Sequence, residues 1–285
     1  MMYEGKTEQV RPCRKRSRLR AECGKIYYGC LRRAVWLVMN RKFASCSQNV
    51  CENKLPYVCF EHRTPLLRRL KDLDMQYQYN KITNLRLASA RIHGVVIHPG
   101  QIFSYWKLIG KPTYRRGYLD GMVLKGGRIG YGPGGGLCQM SNLIFWMVLH
   151  SPLTVTERHR HSYDVFPDSN RKQPFGSGAT CSYLHIDLMI RNDTDRDFQI
   201  MVWLDGDDLR GELRSSEPAD VTYEIVERNH MMKGEYWGGY SRHNELYRQI
   251  FKDGTMIGEE FVLSNHAMMM YAPFISDGNM HESAE

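Results

Sequence analysis

Apolar residues recur at helical spacing between Asn80 and His93, where Ile82, Leu85, Ala88 and Ile92 fall on one stripe. Gly94 follows, a residue suited to ending a helix. The next eleven positions, Val95-Val96-Ile97-His98-Pro99-Gly100-Gln101-Ile102-Phe103-Ser104-Tyr105, read as two short strands about a Pro-Gly turn. A second pair of strands, Met122–Lys125 and Arg128–Gly130, flanks Gly126-Gly127, a two-residue hairpin signal. Leu143 to Leu149 is apolar without interruption, which predicts a helix buried on nearly every face and ended near Pro152. Further on, Leu184–Arg191 and Phe198–Leu204 predict strands joined by an Asn-Asp-Thr-Asp turn, and Asp205-Gly206 turns the chain into Leu209–Leu213. Asp253-Gly254 does the same between Glu245–Phe251 and Met256–Leu263. Near the start, Ile26, Cys30, Ala34 and Val38 share helical spacing, with Arg32, Arg33, Arg41 and Lys42 beside them. This predicts a basic amphipathic helix that either packs on the body of the protein or lies on a membrane surface.

Strands outnumber helices and the two do not alternate, so the pattern predicts an α+β fold. Its strands are expected to be mostly antiparallel, around a buried helix that begins at a glycine-rich turn and Cys138. The chain divides into three sections: a basic, cysteine-bearing region over residues 1–75, a core over 76–205, and a hairpin-rich extension over 206–285 with a polar tail from Ser276. No repeat of period 20–50 is present.

Charge sharpens this division. Of the net +8, residues 1–50 hold twelve Lys/Arg against three Glu, while the other 235 residues carry 27 basic against 28 acidic side chains. The basicity therefore belongs to an arm. Contact with anionic lipid headgroups through residues 11–42 is one reading of it; nucleic acid is a weaker one, and a solvated terminus the bland alternative. No run of about 18 apolar residues exists, which argues against a transmembrane helix. The apolar stretch Ala34–Met39 is shorter than a signal-peptide core and no cleavage pattern follows it. A cytoplasmic protein is expected, with peripheral membrane contact as one alternative. Six of the eight cysteines (Cys13, Cys23, Cys30, Cys46, Cys51 and Cys59) lie in the first 60 residues at irregular gaps with no C-x-x-C pair. Reduced thiols are expected there, and neither a metal nor a cofactor.

The remaining two cysteines are Cys138 and Cys181, and the first follows Tyr131-Gly132-Pro133-Gly134-Gly135-Gly136-Leu137. A thiol at a helix start sits beside unpaired N–H groups and the positive end of the helix dipole, which favours the nucleophilic thiolate. Glycines at 134, 135 and 136 permit backbone conformations in which several amides converge, as an oxyanion hole needs, and the Gln139 side chain is a further donor. The same glycines also suit a purely structural turn, with Cys138 as core filler. A P-loop is excluded because no Lys-Ser/Thr follows. About twenty residues downstream, Glu157-Arg158-His159-Arg160-His161-Ser162 places two imidazoles at i, i+2, on one face if the segment is a strand. Either supplies the base a thiol nucleophile needs.

At these residues the chain resembles the VanW family, named for an accessory protein of vancomycin-resistance gene clusters. The resemblance runs from about Asn80 to Leu204 and rests on Gly134-Gly135-Gly136-Leu137-Cys138-Gln139 and Glu157-Arg158-His159-Arg160-His161-Ser162. His98-Pro99-Gly100-Gln101-Ile102-Phe103-Ser104-Tyr105, Gly117-Tyr118 and Phe175-Gly176-Ser177-Gly178-Ala179-Thr180 agree in order. It implies a link to peptidoglycan metabolism, with a stem peptide or its precursor as ligand. Long, exported members are proposed to be cysteine L,D-transpeptidases. Carried over, this makes Cys138 the nucleophile and His161 the base; His159 is a further catalytic candidate, and Glu157 and Ser162 are candidates for substrate binding. Where long members carry Gly-x-Asp-Ala-Thr this chain has Gly178, so either Asp164, Glu157 or Asp187 orients the base or no orienter exists. The alternative implied is an accessory module that binds precursors or a resistance-enzyme partner without catalysis.

Overall fold

A computed structural model describes residues 17–45, 54–67, 74–125, 128–161, 163–165 and 173–271. The Gly126-Gly127 turn, Ser162, the polar tail and three of the N-terminal cysteines lie outside them. The described residues open with helix α1 (Arg18–Val38), whose first turn is capped by the Ser17 hydroxyl accepting from the Arg20 amide. Strand β1 (Tyr57–Pro65) follows, then α2 (Met75–Ile92), β2 (Val95–Ile97), β3 (Ile102–Ser104) and the short α3 (Tyr105–Ile109). The hairpin β4 (Asp120–Lys125) and β5 (Arg128–Pro133) leads into α4 (Cys138–Leu149). After β6 (Thr154–Glu157), β7 (Tyr163–Asp164) and β8 (Met189–Arg191) come five longer strands: β9 (Phe198–Asp205), β10 (Asp208–Ser215), β11 (Thr222–Gly234), β12 (Tyr240–Lys252) and β13 (Thr255–Met269).

The strands form a sheet in the order β1-β10-β9-β2, a second in the order β11-β12-β13-β7, a three-stranded sheet β3-β8-β6, and the β4-β5 hairpin. Among the described strands all pairings are antiparallel except β13 with β7. The fold is therefore α+β with mostly antiparallel strands. The first sheet takes β1 from before residue 75 and β10 from after 205, so it joins the three sections read from the sequence.

Several elements differ from their sequence reading. Strands β2 and β3 flank the Pro-Gly turn, but Gly100, at φ 76°, sends them to different sheets, β2 onto β9 and β3 onto β8. Only Met189–Arg191 of the expected strand from Leu184 is extended. Before it, the chain turns on itself through Ser182–Ile186 hydrogen bonds, and the Asp187 carboxylate takes the amides of Trp106 and Leu188. Helix α2 starts earlier than its apolar stripe because Asp74 caps it, accepting from the Gln76 amide. On α1 the stripe Ile26, Cys30, Ala34 and Val38 faces solvent; the body is met instead by Gly29, Arg32 and Trp36.

Helix α4 packs against β1 and β10, and α2 against β9. Met140, Leu143, Ile144, Phe145, Met147, Val148 and Leu149 of α4 are buried, roughly 1.5–3 kcal/mol each for the larger side chains. The helix is not enclosed all round: Asn142 is exposed and Cys138, Gln139 and Trp146 are half-buried, an open stripe with the cysteine at its top. Where α4 crosses β10 the two approach so closely that a Cβ on Gly211 would lie 2.8 Å from the Met147 side chain and 3.0 Å from Leu143. Gly211→Val is expected to destabilise the fold by about 1–3 kcal/mol through overpacking, measured as a lowered urea midpoint at unchanged m.

Candidate functional site

The turn before α4 is set by close backbone contact. Gly135 lies against Gly121 of β4; a Cβ there would fall 2.0 Å from the Gly121 carbonyl carbon. Gly136, at φ 88°, would drive a Cβ to 2.3 Å from the Lys81 side chain. Asn84 pins the turn from α2, donating to the carbonyls of Gly135 (3.0 Å) and Leu119 (2.9 Å) and accepting from the Leu119 amide (2.8 Å). The Tyr105 hydroxyl donates to the Leu137 carbonyl at 2.8 Å. The amides of Gly134, Gly135 and Gly136 donate to the carbonyls of Leu119, Gly132 and Met122, at 3.0–3.1 Å. The three glycines thus serve the turn itself, and their N–H groups are engaged. The amides of Gln139, Met140 and Ser141 likewise turn back onto Gly136 and Leu137. Among the described residues, the Cys138 amide donates to no backbone carbonyl.

Cys138 opens α4 with no side-chain cap ahead of it. Its Sγ lies 3.8 Å from Cys181 Sγ and 3.6 Å from the Cys181 carbonyl oxygen. The Cys181 hydrogen bond, with a further one from His161 and its charge, overcomes desolvation and holds the Cys138 thiol well below its ordinary range. Burial and the neighbouring Cys138 push Cys181 the other way, well above that range. One sulfur is therefore disposed to ionise and the other to keep its proton and donate. Ser141, one turn along α4, fixes the second thiol: its Oγ is 3.4 Å from Cys181 Sγ and donates to the Ala179 carbonyl at 2.6 Å. Asn142 accepts from the Ala179 amide at 2.8 Å, and a Cβ on Gly178 would meet the same Asn142 oxygen at 2.6 Å.

The two histidines go separate ways. Strand β6 ends at Glu157, and only His159 continues with a single bridge, accepting at its carbonyl from the Thr180 amide (2.8 Å). His161 is the partner of Cys138, whereas His159 places Nε2 3.3 Å from Glu157 Oε1. The segment is clamped by its arginines. Arg158 donates to the carbonyls of Gly176 and Gly178 and to Asn265 Oδ1, and Arg160 donates to the His266 carbonyl and stacks over Phe175. Asn244 and Asn265 in turn donate to the Phe175 carbonyl, tying this loop to β12 and β13.

The three carboxylates considered as orienters are engaged elsewhere. Burial alone would raise Glu157, but hydrogen bonds from His159, Arg32 and the Asp187 amide hold it down to about 2. Burial lifts Asp187 to about 6 despite its hydrogen bonds from the Ser104 hydroxyl and the Trp106 amide. Asp164 accepts from the Tyr271 hydroxyl at 2.8 Å and lies 3.6 Å from Arg242. None of the three forms an ion pair with His161 among the described residues. Gln139 is also committed: its Nε2 donates to Thr64 Oγ1 and the Pro65 carbonyl, both at 2.9 Å, at the end of β1. Among the described residues no three His, Cys, Asp or Glu side chains converge as metal ligands. The sequence does not reveal Cys181, Ser141 and Arg32 as neighbours of this site. Only the spacing of Ser141, three residues after Cys138 on one helix, was available as a signal.

Fold and site together define an α+β protein with an ionisable thiol at the start of a helix, flanked by a second thiol and an imidazole. Residues 80–214 match the family model described as VanW like protein. The vancomycin B-type resistance protein VanW of Enterococcus faecalis is 38% identical over 196 residues, covering 68% of this chain and 71% of that protein. The uncharacterized protein YoaR of Bacillus subtilis is 29% identical over 109 residues, 38% of this chain and 34% of its own length. The chain thus spans about a third of YoaR. No solved structure matches. The chain belongs to the VanW family.

Two titrations check this electrostatic arrangement. Alkylation of Cys138 by iodoacetamide, followed by peptide mass spectrometry, is expected to have its midpoint well below 9. Cys181→Ala and His161→Ala should each raise that midpoint, since each removes a group favouring the thiolate; an unmoved midpoint in both would discard the arrangement. Glu157, held near 2 against 4.5 for the free group, stabilises the fold fully above pH 4.5 and loses that contribution as pH falls toward 2. Glu157→Gln is accordingly expected to cost about 1–3 kcal/mol in urea melts at neutral pH, with the difference from wild type shrinking in acid.

Proposed function

We propose that this protein is a cysteine acyltransferase, L,D-transpeptidase-like, acting on peptidoglycan stem peptides or their precursors. Its setting would be the glycopeptide resistance that the name of the Enterococcus faecalis relative records. The observation that carries the reading is the position of Cys138 at the start of α4 with its Sγ 3.8 Å from Cys181 Sγ; Cys181 and His161 favour its thiolate. The thiolate attacks the carbonyl carbon of a donor amide and forms a C–S bond. The oxygen takes the negative charge beside the positive end of α4, where the amide of Cys138 itself is the donor at hand. His161 passes a proton to the departing amine as the C–N bond breaks, leaving a thioester. An acceptor amine then gives its proton to His161, attacks the thioester carbonyl, and expels the Cys138 thiolate. Cys181 keeps its proton throughout and positions the nucleophile. His159 and Glu157 act on the far side of the same segment, as a pair that braces it.

A non-catalytic module that binds cell-wall precursors is the second reading. It is favoured by the glycine amides being engaged within the turn and by the lack of a carboxylate paired with His161 among the described residues. Incubation with synthetic stem peptides and intact-mass spectrometry separates the two. The enzyme reading expects an acyl adduct on Cys138, none in Cys138→Ala, and formation slowed about 10²–10⁴-fold in His161→Ala. Equal non-covalent binding by wild type and Cys138→Ala, with no adduct in either, would leave the binding module.

A further inference from the structure

Helix α1 meets the rest of the protein with one face only. Gly29 sits against Leu184, near enough that a Cβ would be 3.4 Å from its Cδ1; Arg32 reaches Glu157 at 2.7 Å; and Trp36 packs on the core. At 100° per residue these positions lie on one side of the helix. The adjoining flank carries Leu19, Ile26 and Leu37 and the opposite side Tyr27, Ala34 and Val38, all exposed, with Leu37 at 78% and Val38 at 86%. The apolar stripe of this amphipathic helix therefore points away from the core it would ordinarily cover. Along this helix of 21 residues, about 30 Å, the apolar row has no described residue packed over it.

The charge around the stripe selects its occupant. Arg20, Lys25, Arg33, Arg41 and Lys42 are exposed along α1 and just beyond it, and Arg14, Lys15 and Arg16 precede it in the sequence. The one acid within the helix, Glu22, is neutralised by Lys25 at 2.5 Å. A second copy of the same helix would bring like charges together, whereas a bilayer with anionic headgroups supplies negative charge and an apolar layer in one surface. No helix among the described residues is long and apolar enough to cross a membrane. We propose that α1 lies along an anionic lipid bilayer, its apolar stripe inserted among the acyl chains and its basic side chains at the headgroups. Because Arg32 ties the other face of α1 to Glu157, such docking holds the Glu157–His161 segment on the membrane-proximal part of the molecule. This inference stands apart from the acyl-transfer reading.

Cosedimentation of the full chain with vesicles tests it. Binding is expected to equimolar phosphatidylglycerol and phosphatidylcholine and to be much weaker with phosphatidylcholine alone. It should weaken as salt is raised from about 0.1 to 1 M, as the Debye length falls from about 10 to 3 Å. Ile26→Glu combined with Leu37→Glu should lower the partition coefficient at least about tenfold. Both positions face solvent, so the Cys138 alkylation midpoint should be that of wild type. Arg20→Glu with Arg33→Glu should weaken binding to the anionic vesicles only, which keeps the test decisive if the first variant misfolds. Binding by both variants equal to wild type, or none by wild type, would overturn the proposal. So would a wild-type dimer that dissociates in Ile26→Glu/Leu37→Glu while vesicles have no effect.

Discussion

Two peptide backbones in contact, Gly135 against Gly121, govern where α4 begins. Neither position leaves room for a side chain, and the contact is locked by Asn84 reaching across from α2 to both sides of it. Because β4 and β5 are held in register up to Asp120 and Pro133, the chain can leave the hairpin only through this turn. Helix α4 then runs beneath β1 and β10, with Gly211 admitting it to the sheet. Cys138 is placed by this sequence of steric constraints before any electrostatic interaction acts on it.

What the placement achieves is a division of labour between two thiols of the same intrinsic acidity. Cys138 has a sulfur donor and His161; Cys181 has burial and the neighbouring Cys138, which outweigh the opposing hydrogen bond from Ser141. In such a pair a proton leaves one site more easily because the other keeps its own, so the two titrate as a unit. The histidine side of the site is supported from further away. Arg158 and Arg160 reach the carbonyls and rings held by the β12–β13 hairpin, and Arg32 of α1 holds Glu157 from the opposite direction. The N-terminal helix and the C-terminal hairpin thus converge on one short segment whose own hydrogen bonds are sparse. That segment has a single backbone bridge, His159 to Thr180, so its side chains rather than a strand ladder hold its position.

The tight hairpins, the helix ended by Gly94 and the apolar run of α4 were legible in the sequence because each is decided within a few residues, by turn chemistry or periodicity. The placement of Cys138 at the start of α4 was legible for the same reason: glycines, a thiol and an apolar run are neighbours in the chain. Pairing was not. The strands flanking Pro99-Gly100 look like a hairpin and are not one, since each finds a longer partner elsewhere. The i, i+2 spacing of His159 and His161 suggested one shared face, yet the chain leaves β6 before them and gives each a different partner.

By itself, then, the sequence determined the fold class, the turn that starts α4 with a thiol at its first residue, and the concentration of positive charge in the first fifty residues. All of these depend on local composition or spacing. Tertiary structure alone decided that Cys181, 43 residues away, is the neighbour that lowers Cys138, and that the three glycine amides are used inside the turn. It also decided that α1 turns its apolar stripe outward. Periodicity marks a stripe as apolar but carries no information on which surface will cover it; here Gly29 and Arg32 fit the body, and no described residue covers the apolar row.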